Sequence, residues 1–206
     1  MRVGKERFEI DGLAPRGIEL RSRKDAEVTA DTHIRPSPME ALAKIRPAFG
    51  GVQTGGNSSA IVDGAAAALI ASSAYAKRQG KTPLARILAG ASVGVTPSVM
   101  GIGPVPAIRA VVEKAGLTLA EIDRIEINEA FGAQCLACAR ELGLDEDRLN
   151  VNGGAIAIGH PLGATGVRLT VTLARELQRS GKRYGVASAC IGGGQGIALL
   201  IENLQH

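Results

Sequence analysis

Tyr184-Gly185-Val186-Ala187-Ser188-Ala189-Cys190-Ile191-Gly192-Gly193-Gly194-Gln195-Gly196-Ile197-Ala198-Leu199-Leu200-Ile201 is the stretch that decides the fold class. Tyr184 to Cys190 and Ile197 to Ile201 are short apolar runs bounded by glycine, which read as strands. The three glycines between them leave too little chain for a crossover, so the two strands lie antiparallel.

Upstream of this pair, Val167, Val171, Ala174 and Leu177 recur at helical spacing, and Gly181 stands where such a helix stops. A Gly-rich loop, Asn150 to Gly163, precedes that helix. Ala130 to Leu142 reads as a helix closed by Gly143, and Ile125 to Asn128 as a strand. Thr118 with Glu121 three residues on signals a capped short helix. Ile108, Val111, Val112 and Ala115 share one helical face that Gly116 ends, and Ile87 to Val95 reads as a strand. From residue 85 the order is β-α-β-α-loop-α-β-β, which predicts an α/β protein with a mixed sheet covered by helices.

Earlier in the chain the pattern weakens. By period alone, Ala65 to Ala71 fits a buried strand or a helix, and the helical Ser73 to Gln79 after it favours strand then helix. Residues 1 to about 60 carry prolines and charges of both signs. They contain extended-looking pieces at Gly17 to Leu20 and Glu27 to Thr29 and one helix across Met39 to Ile45. Few of their apolar residues recur at any period, so this region reads as irregular rather than as an independent domain.

Composition narrows the class. At 206 residues the chain holds one full domain plus a remainder, or two small ones. It has 27 Gly but only 3 Phe, 2 Tyr and no Trp, so its core must pack on Ala, Val, Ile and Leu with closely approaching backbones. With 45% hydrophobic and 21% charged residues it is too apolar to be disordered. The N-terminus is charged from its second residue, and no uninterrupted apolar run reaches the ~20 residues of a membrane span. Three cysteines make no disulfide framework, so a reduced, cytoplasmic protein is expected. A net charge of +4 suits an anionic small molecule, and neither a basic cluster nor stacking aromatics points to nucleic acid.

Three loops set polar residues among glycines directly after predicted strands, where open sheets place ligands. They are Asn128-Glu129-Ala130-Phe131, Asn152-Gly153-Gly154-Ala155-Ile156-Ala157-Ile158-Gly159-His160-Pro161-Leu162-Gly163, and Cys190-Ile191-Gly192-Gly193-Gly194-Gln195-Gly196. Together they offer an amide, an imidazole, a thiol and free backbone N–H groups, the parts that acyl chemistry needs. Each has a plainer reading: His160 shapes a turn before Pro161, Cys190 fills a core, and Asn128 caps a helix. A phosphate cradle is weakly supported, because no Gly-x-x-x-x-Gly-Lys-Ser/Thr occurs and Gly101-Ile102-Gly103-Pro104 is no dinucleotide fingerprint. Cys135 and Cys138 form a CxxC inside an Ala-rich helix with no second pair, which points to packing rather than to a metal.

The conjunction of Asn-Glu-Ala-Phe, Gly-His-Pro and Cys-x-Gly in this order resembles the thiolase family. The resemblance runs from about Arg7 to Glu202 and includes Leu42-Ala43-Lys44-Ile45-Arg46-Pro47-Ala48-Phe49, Asp63-Gly64-Ala65-Ala66-Ala67 and Met100-Gly101-Ile102-Gly103-Pro104. Asn at the head of the first motif resembles the thiolases proper, since the sterol-carrier type usually has His there. The resemblance implies a thiolase-like fold. Residues 1–60 would be the remainder of a loop domain, 61–83 the last strand and helix of the N-terminal half, and 84–206 the C-terminal domain, with a five-stranded mixed sheet.

The same resemblance implies roles. Thiolases condense two acyl-CoA molecules or cleave a 3-oxoacyl-CoA, here acetoacetyl-CoA, with coenzyme A as substrate or product and no tightly bound cofactor or metal. His160 would activate a nucleophilic cysteine and join the first oxyanion hole, and Asn128 would hold the water that completes it. Cys190 would exchange the α-carbon proton, and the Gly192 N–H would serve the second oxyanion hole. Ser59 matches a serine near the pantetheine, Phe49, Met100, Ala130 and Phe131 match the lining of that channel, and Arg35 matches an arginine near the adenine. Asn57-Ser58-Ser59-Ala60 departs from the usual Asn-Ala-Ser-Gly, and Val62 stands where Asn is common.

A thiolase is about twice this long, and its acyl-carrying cysteine lies in the first half. No cysteine here precedes Cys135. Met1 and the intact Asn128, His160, Cys190 and Gly192 favour one subunit of a split enzyme. A partner chain would supply the N-terminal half and its cysteine, in a dimer of heterodimers or larger. A fragment of a longer thiolase and a non-catalytic CoA-binding module are the alternatives. Cys190 as its own nucleophile is a poorer one, since one thiol would be carrier and base at once.

Overall fold

The computed structural model describes residues 30–31 and 33–205. Contacts divide the chain into two units, Met1–Arg35 and Pro36–His206. Of the first, the described residues are 30, 31 and 33–35, with Ile34 and Arg35 exposed. The extended pieces expected at Gly17 to Leu20 and Glu27 to Thr29 lie outside the described residues.

The second unit is built from α1 (Met39–Leu42), α2 (Ser73–Arg78), β1 (Arg86–Gly94), a 3-10 turn (Pro97–Ile102), α3 (Pro104–Lys114), β2 (Arg124–Ile127), α4 (Gly132–Leu142), α5 (Ala155–Ile158), α6 (Thr165–Ser180), β3 (Tyr184–Ile191) and β4 (Gln195–Glu202). Helix ends obey the expected chemistry. Pro104 opens α3, where a missing N–H costs nothing. Gly143 and Gly181 close α4 and α6 in the left-handed conformation. A short 3-10 turn, Leu119–Glu121, comes after Thr118, whose N–H and hydroxyl both donate to the Glu121 carboxylate at 2.7 Å.

The sheet order is β1-β4-β3-β2, with β2 and β3 parallel and the other neighbours antiparallel. Alternation along the strands feeds two cores. Val186, Ala198 and Leu200 pack with Ile108, Val111 and Cys138 of α3 and α4 on one face. On the other, Ala187 and Ile201 pack with Leu169, Leu173 and Leu177 of α6. Cys135 and Cys138 are buried free thiols, and burial pushes them up to about 12 and about 11.

Backbones approach closely at the hairpin. Gly193 and Gly194 turn at positive φ, and Val95 N–H donates to the Gly194 carbonyl at 2.8 Å. A Cβ on Gly196 would lie 1.9 Å from the Gly103 carbonyl oxygen, so β4 and the start of α3 touch backbone to backbone.

Two expectations are corrected. The sheet has four strands among the described residues, not five. The place beside β2 holds only a single parallel bridge, Ile125 to Leu149. Asn150 then turns at φ 48°, and its side chain takes over the pairing: Ile127 N–H donates to Oδ1 and Nδ2 donates to the Ile127 carbonyl, both at 2.9 Å. The second correction is at Ala65 to Ala71, which forms no strand, although α2 does come after it, capped by the Ser72 hydroxyl. A strand needs a neighbour for its N–H and C=O groups, and no strand of the described residues pairs with this run. Leu69 and Ile70 are exposed there.

Candidate active site

β2 and β3 run parallel and end at the same edge of the sheet. Ile127 pairs with Ser188, and Asn128 N–H donates to the Ser188 carbonyl at 2.9 Å, so Asn128 comes just past the end of β2 at the level where Cys190, still paired with Gly196, lies near the end of β3. α6 leads back through Gly181 to the start of β3, which puts its first turn, and His160 just before it, at the carboxyl ends of the same strands. The three motif loops therefore converge where the parallel strands end.

Each polar group has a distinct setting. Asn128 is 0% exposed, and neither of its side-chain amide atoms has a hydrogen-bond partner in the protein. Buried amides are seldom left so, which marks this one for an outside partner. His160 is half-buried, with Nδ1 at 2.6 Å from Thr165 Oγ1. Burial, and then the Arg168 guanidinium, hold the imidazole below its usual range, so it is neutral at pH 7. Cys190 is half-buried, and burial pushes its thiol up, so it rests protonated. Gly192 is exposed, with open space where a side chain would be, at the entrance to the glycine turn.

A short segment ties the loops together. Ser59 N–H and Oγ donate to the Ala130 carbonyl at 3.2 and 3.1 Å, Ser58 bridges to Phe131, and Gly132 N–H donates to the Asn57 carbonyl. One residue further, the Ala60 carbonyl accepts from His160 N–H at 2.7 Å. Ser59, Ala130 and Phe131 are thus assembled beside His160. Met100 is half-buried in the 3-10 turn that packs on α4. Phe49 stands at φ 57° with its ring wholly exposed, and it joins none of the others. Arg35 belongs to the first unit.

Several charged residues that the motifs left without a role also meet here. The Glu129 carboxylate accepts from Ile156 N–H at 3.1 Å and from Asn150 Nδ2 at 3.2 Å, so it fastens the Gly-rich loop to the end of β2. It fills the space a Gly154 Cβ would need, 2.5 Å away. Beneath it, Glu126 is 2% exposed on β2, 3.9 Å from Arg168 of α6. Burial pushes its carboxyl up to about 7 against the pull of Arg168. Nothing in a strand period distinguishes Glu126 from a solvated residue. The Glu129–Gly154 pair, by contrast, lies within two quoted motifs.

The family model for the thiolase C-terminal domain matches residues 81–203, and that for the thiolase N-terminal domain matches residues 6–74. The chain belongs to the thiolase family. Among its relatives, the mitochondrial 3-ketoacyl-CoA thiolase of Pongo abelii is 51% identical over 197 residues, covering 94% of this chain and 49% of that protein. The acetyl-CoA acetyltransferase of Syntrophomonas wolfei is 52% identical over 199 residues, 94% of this chain and 50% of that protein. The crystal structure of human mitochondrial 3-ketoacyl-CoA thiolase in complex with CoA superimposes with a TM-score of 0.78 at 48% identity, over 88% of this chain and 46% of that one. This thiolase chain spans about half the length of the relatives it matches. Among its described residues no helix is long and apolar enough to cross a membrane, and no cluster of side chains could hold a metal ion.

Proposed function

We propose that this chain supplies the C-terminal half of a thiolase active site and that the acyl-carrying cysteine comes from a partner polypeptide bearing the N-terminal half. The observation that carries the reading is the convergence of Asn128, His160 and Cys190 at one end of the parallel strand pair, in a chain of this family. In condensation, His160 takes the proton of the partner's cysteine as that thiol attacks an acyl-CoA. Imidazolium and a water held by Asn128 then stabilise the oxyanion, and CoA leaves with a proton. Cys190, as thiolate, removes an α-proton from a second acyl-CoA. The enolate so formed attacks the acyl-enzyme carbonyl, the C–S bond to the partner's cysteine breaks, the proton held by Cys190 passes to that leaving thiolate, and 3-oxoacyl-CoA departs. Cleavage is the reverse, and the protonated resting thiol of Cys190 is the form that returns the proton to the departing enolate. Acetoacetyl-CoA is the substrate assigned to this cycle, with Gly192 N–H at the second oxyanion, and with Ser59, Ala130, Phe131 and Met100 along the pantetheine.

An uncovered face supports the partnership. α6 covers β3 and β2, but beside it β1 and β4 present Ile87, Ile197 and Leu199 to an open apolar cleft of about 590 Å³, reached also by Ala68 and Ile70. Ile87 and Ile197 are each nearly half exposed. An apolar surface of this kind is what an absent packing partner leaves behind, and the N-terminal half is its occupant. Residues 61–83, with Leu69 and Ile70 exposed, are the part of this chain that packs on the partner's half. Free thiols at all three cysteines suit a reducing cytoplasm.

Native mass spectrometry on material purified from the source tests the assembly. A hetero-oligomer with a second polypeptide of similar length that carries a reactive cysteine is expected. Homo-oligomers alone would contradict it.

A further inference from the structure

The Thr165 hydroxyl, 2% exposed at the first position of α6, makes two contacts. It donates its one proton to the Pro161 carbonyl at 3.0 Å, the back-bond to residue i−4 that Thr makes at helix starts. The same oxygen lies 2.6 Å from His160 Nδ1. The Pro161 carbonyl also takes Ala164 N–H at 2.8 Å and Thr165 N–H at 2.9 Å; with the hydroxyl proton directed there, Oγ1 accepts at the second contact and the proton between the two groups is the one on Nδ1.

We propose that Thr165 is a positioning residue that fixes the His160 imidazole as the Nδ1-protonated tautomer and leaves the Nε2 lone pair for the incoming thiol proton. The proposal deepens the role given to His160 in the thiolase cycle and rests on it. The same helix face carries a second constraint. Arg168 lies one turn beyond Thr165, where i,i+3 side chains are about 5–6 Å apart. It is held against buried Glu126 at 3.9 Å, with Nε and Nη2 buried and unpartnered. Glu126 and Glu129 face Arg168, and Arg168 is the charge felt by His160. A fixed cation beside the ring opposes its second protonation, so the ring holds one proton, placed by Thr165. Once Nε2 takes the thiol proton, Thr165 still accepts from Nδ1, and the imidazolium is oriented with Nε2–H toward the oxyanion.

Long-range 15N–1H correlation spectra of the full chain read the tautomer directly, since His33, His160 and His206 are the only histidines and His160→Gln assigns the signal. In the wild-type chain near pH 7.5, Nδ1 should be protonated and Nε2 bare. Thr165→Val, which cannot accept, should shift the population toward the Nε2-protonated form, and Thr165→Ser should restore it. Arg168→Met should raise the His160 titration midpoint. An Nε2-protonated ring in the wild type overturns the proposal, as does a folded Thr165→Val chain with an unchanged tautomer. If the valine variant does not fold, the wild-type spectrum alone decides. None of these readouts needs turnover, so failed acyl transfer with a partner half would overturn the thiolase reading and leave the tautomer assignment standing.

Discussion

Replacing Cys190 by Ala, in this chain combined with an N-terminal thiolase half, is expected to slow acetoacetyl-CoA cleavage by about 10²- to 10⁴-fold, the range a positioned acid or base contributes. Acylation of the partner's cysteine should survive, because His160 and Asn128 serve that step and neither depends on the Cys190 thiol. Cys190 is half-buried at the end of β3 and lies outside both core clusters, so the truncation removes a proton carrier without opening the core. Radiolabelled acetyl-CoA separates the two steps: label should accumulate on the partner's cysteine while turnover stops. Loss of labelling together with turnover would show that Cys190 also acts in acylation, and the division of labour between His160 and Cys190 would be wrong.

The second large effect is structural. Gly196→Ala would place a methyl carbon 1.9 Å from the Gly103 carbonyl oxygen, a backbone atom at the start of α3 that cannot swing aside. Relief requires β4 to part from α3, and Ala198 and Leu200 of the larger core go with it. A loss above about 4 kcal/mol is expected, in the range of severe single substitutions, and a fall in Tm of roughly 10 °C or more for a unit of this size. Gly166→Ala is the contrast. It lies in α6 with nothing within 4 Å of the added carbon, and should be neutral or stabilising by up to about 1 kcal/mol. Thermal melts of both chains decide it. Equal melting of the Gly196 variant and wild type would mean that the strand and helix are not in backbone contact.

What could be read from residue order alone was whatever local chemistry dictates. Apolar periodicity with Gly116, Gly143 and Gly181 marked α3, α4 and α6, and the triple glycine marked the β3–β4 hairpin as antiparallel. Ala65 to Ala71 failed because strand formation depends on a neighbour, and no period records whether one is present. The missing fifth strand turns on Asn150, whose side-chain amide reproduces the hydrogen bonds of the strand it replaces. The motif residues stood out by their place among glycines after strands, but each alone has a plainer reading, and their roles came only through the resemblance that their conjunction carries. Their supports were not legible. Glu126 looks like any strand carboxylate until Arg168 is found beneath it, and Thr165 acts by folding back onto a ring five residues earlier. Phe49 was named through resemblance, and its ring packs on nothing in this unit.

The central claim is that this chain holds the His160, Asn128 and Cys190 machinery of a thiolase and needs an outside thiol. The direct measurement is CoA-dependent loss of acetoacetyl-CoA enolate absorbance, taken on this chain alone, on an N-terminal thiolase half alone, and on the two mixed. Negligible rates from each and robust cleavage from the mixture are expected, abolished when the partner's nucleophilic cysteine is replaced. Robust cleavage by this chain alone, or none from the mixture under conditions where the two halves associate, would contradict it.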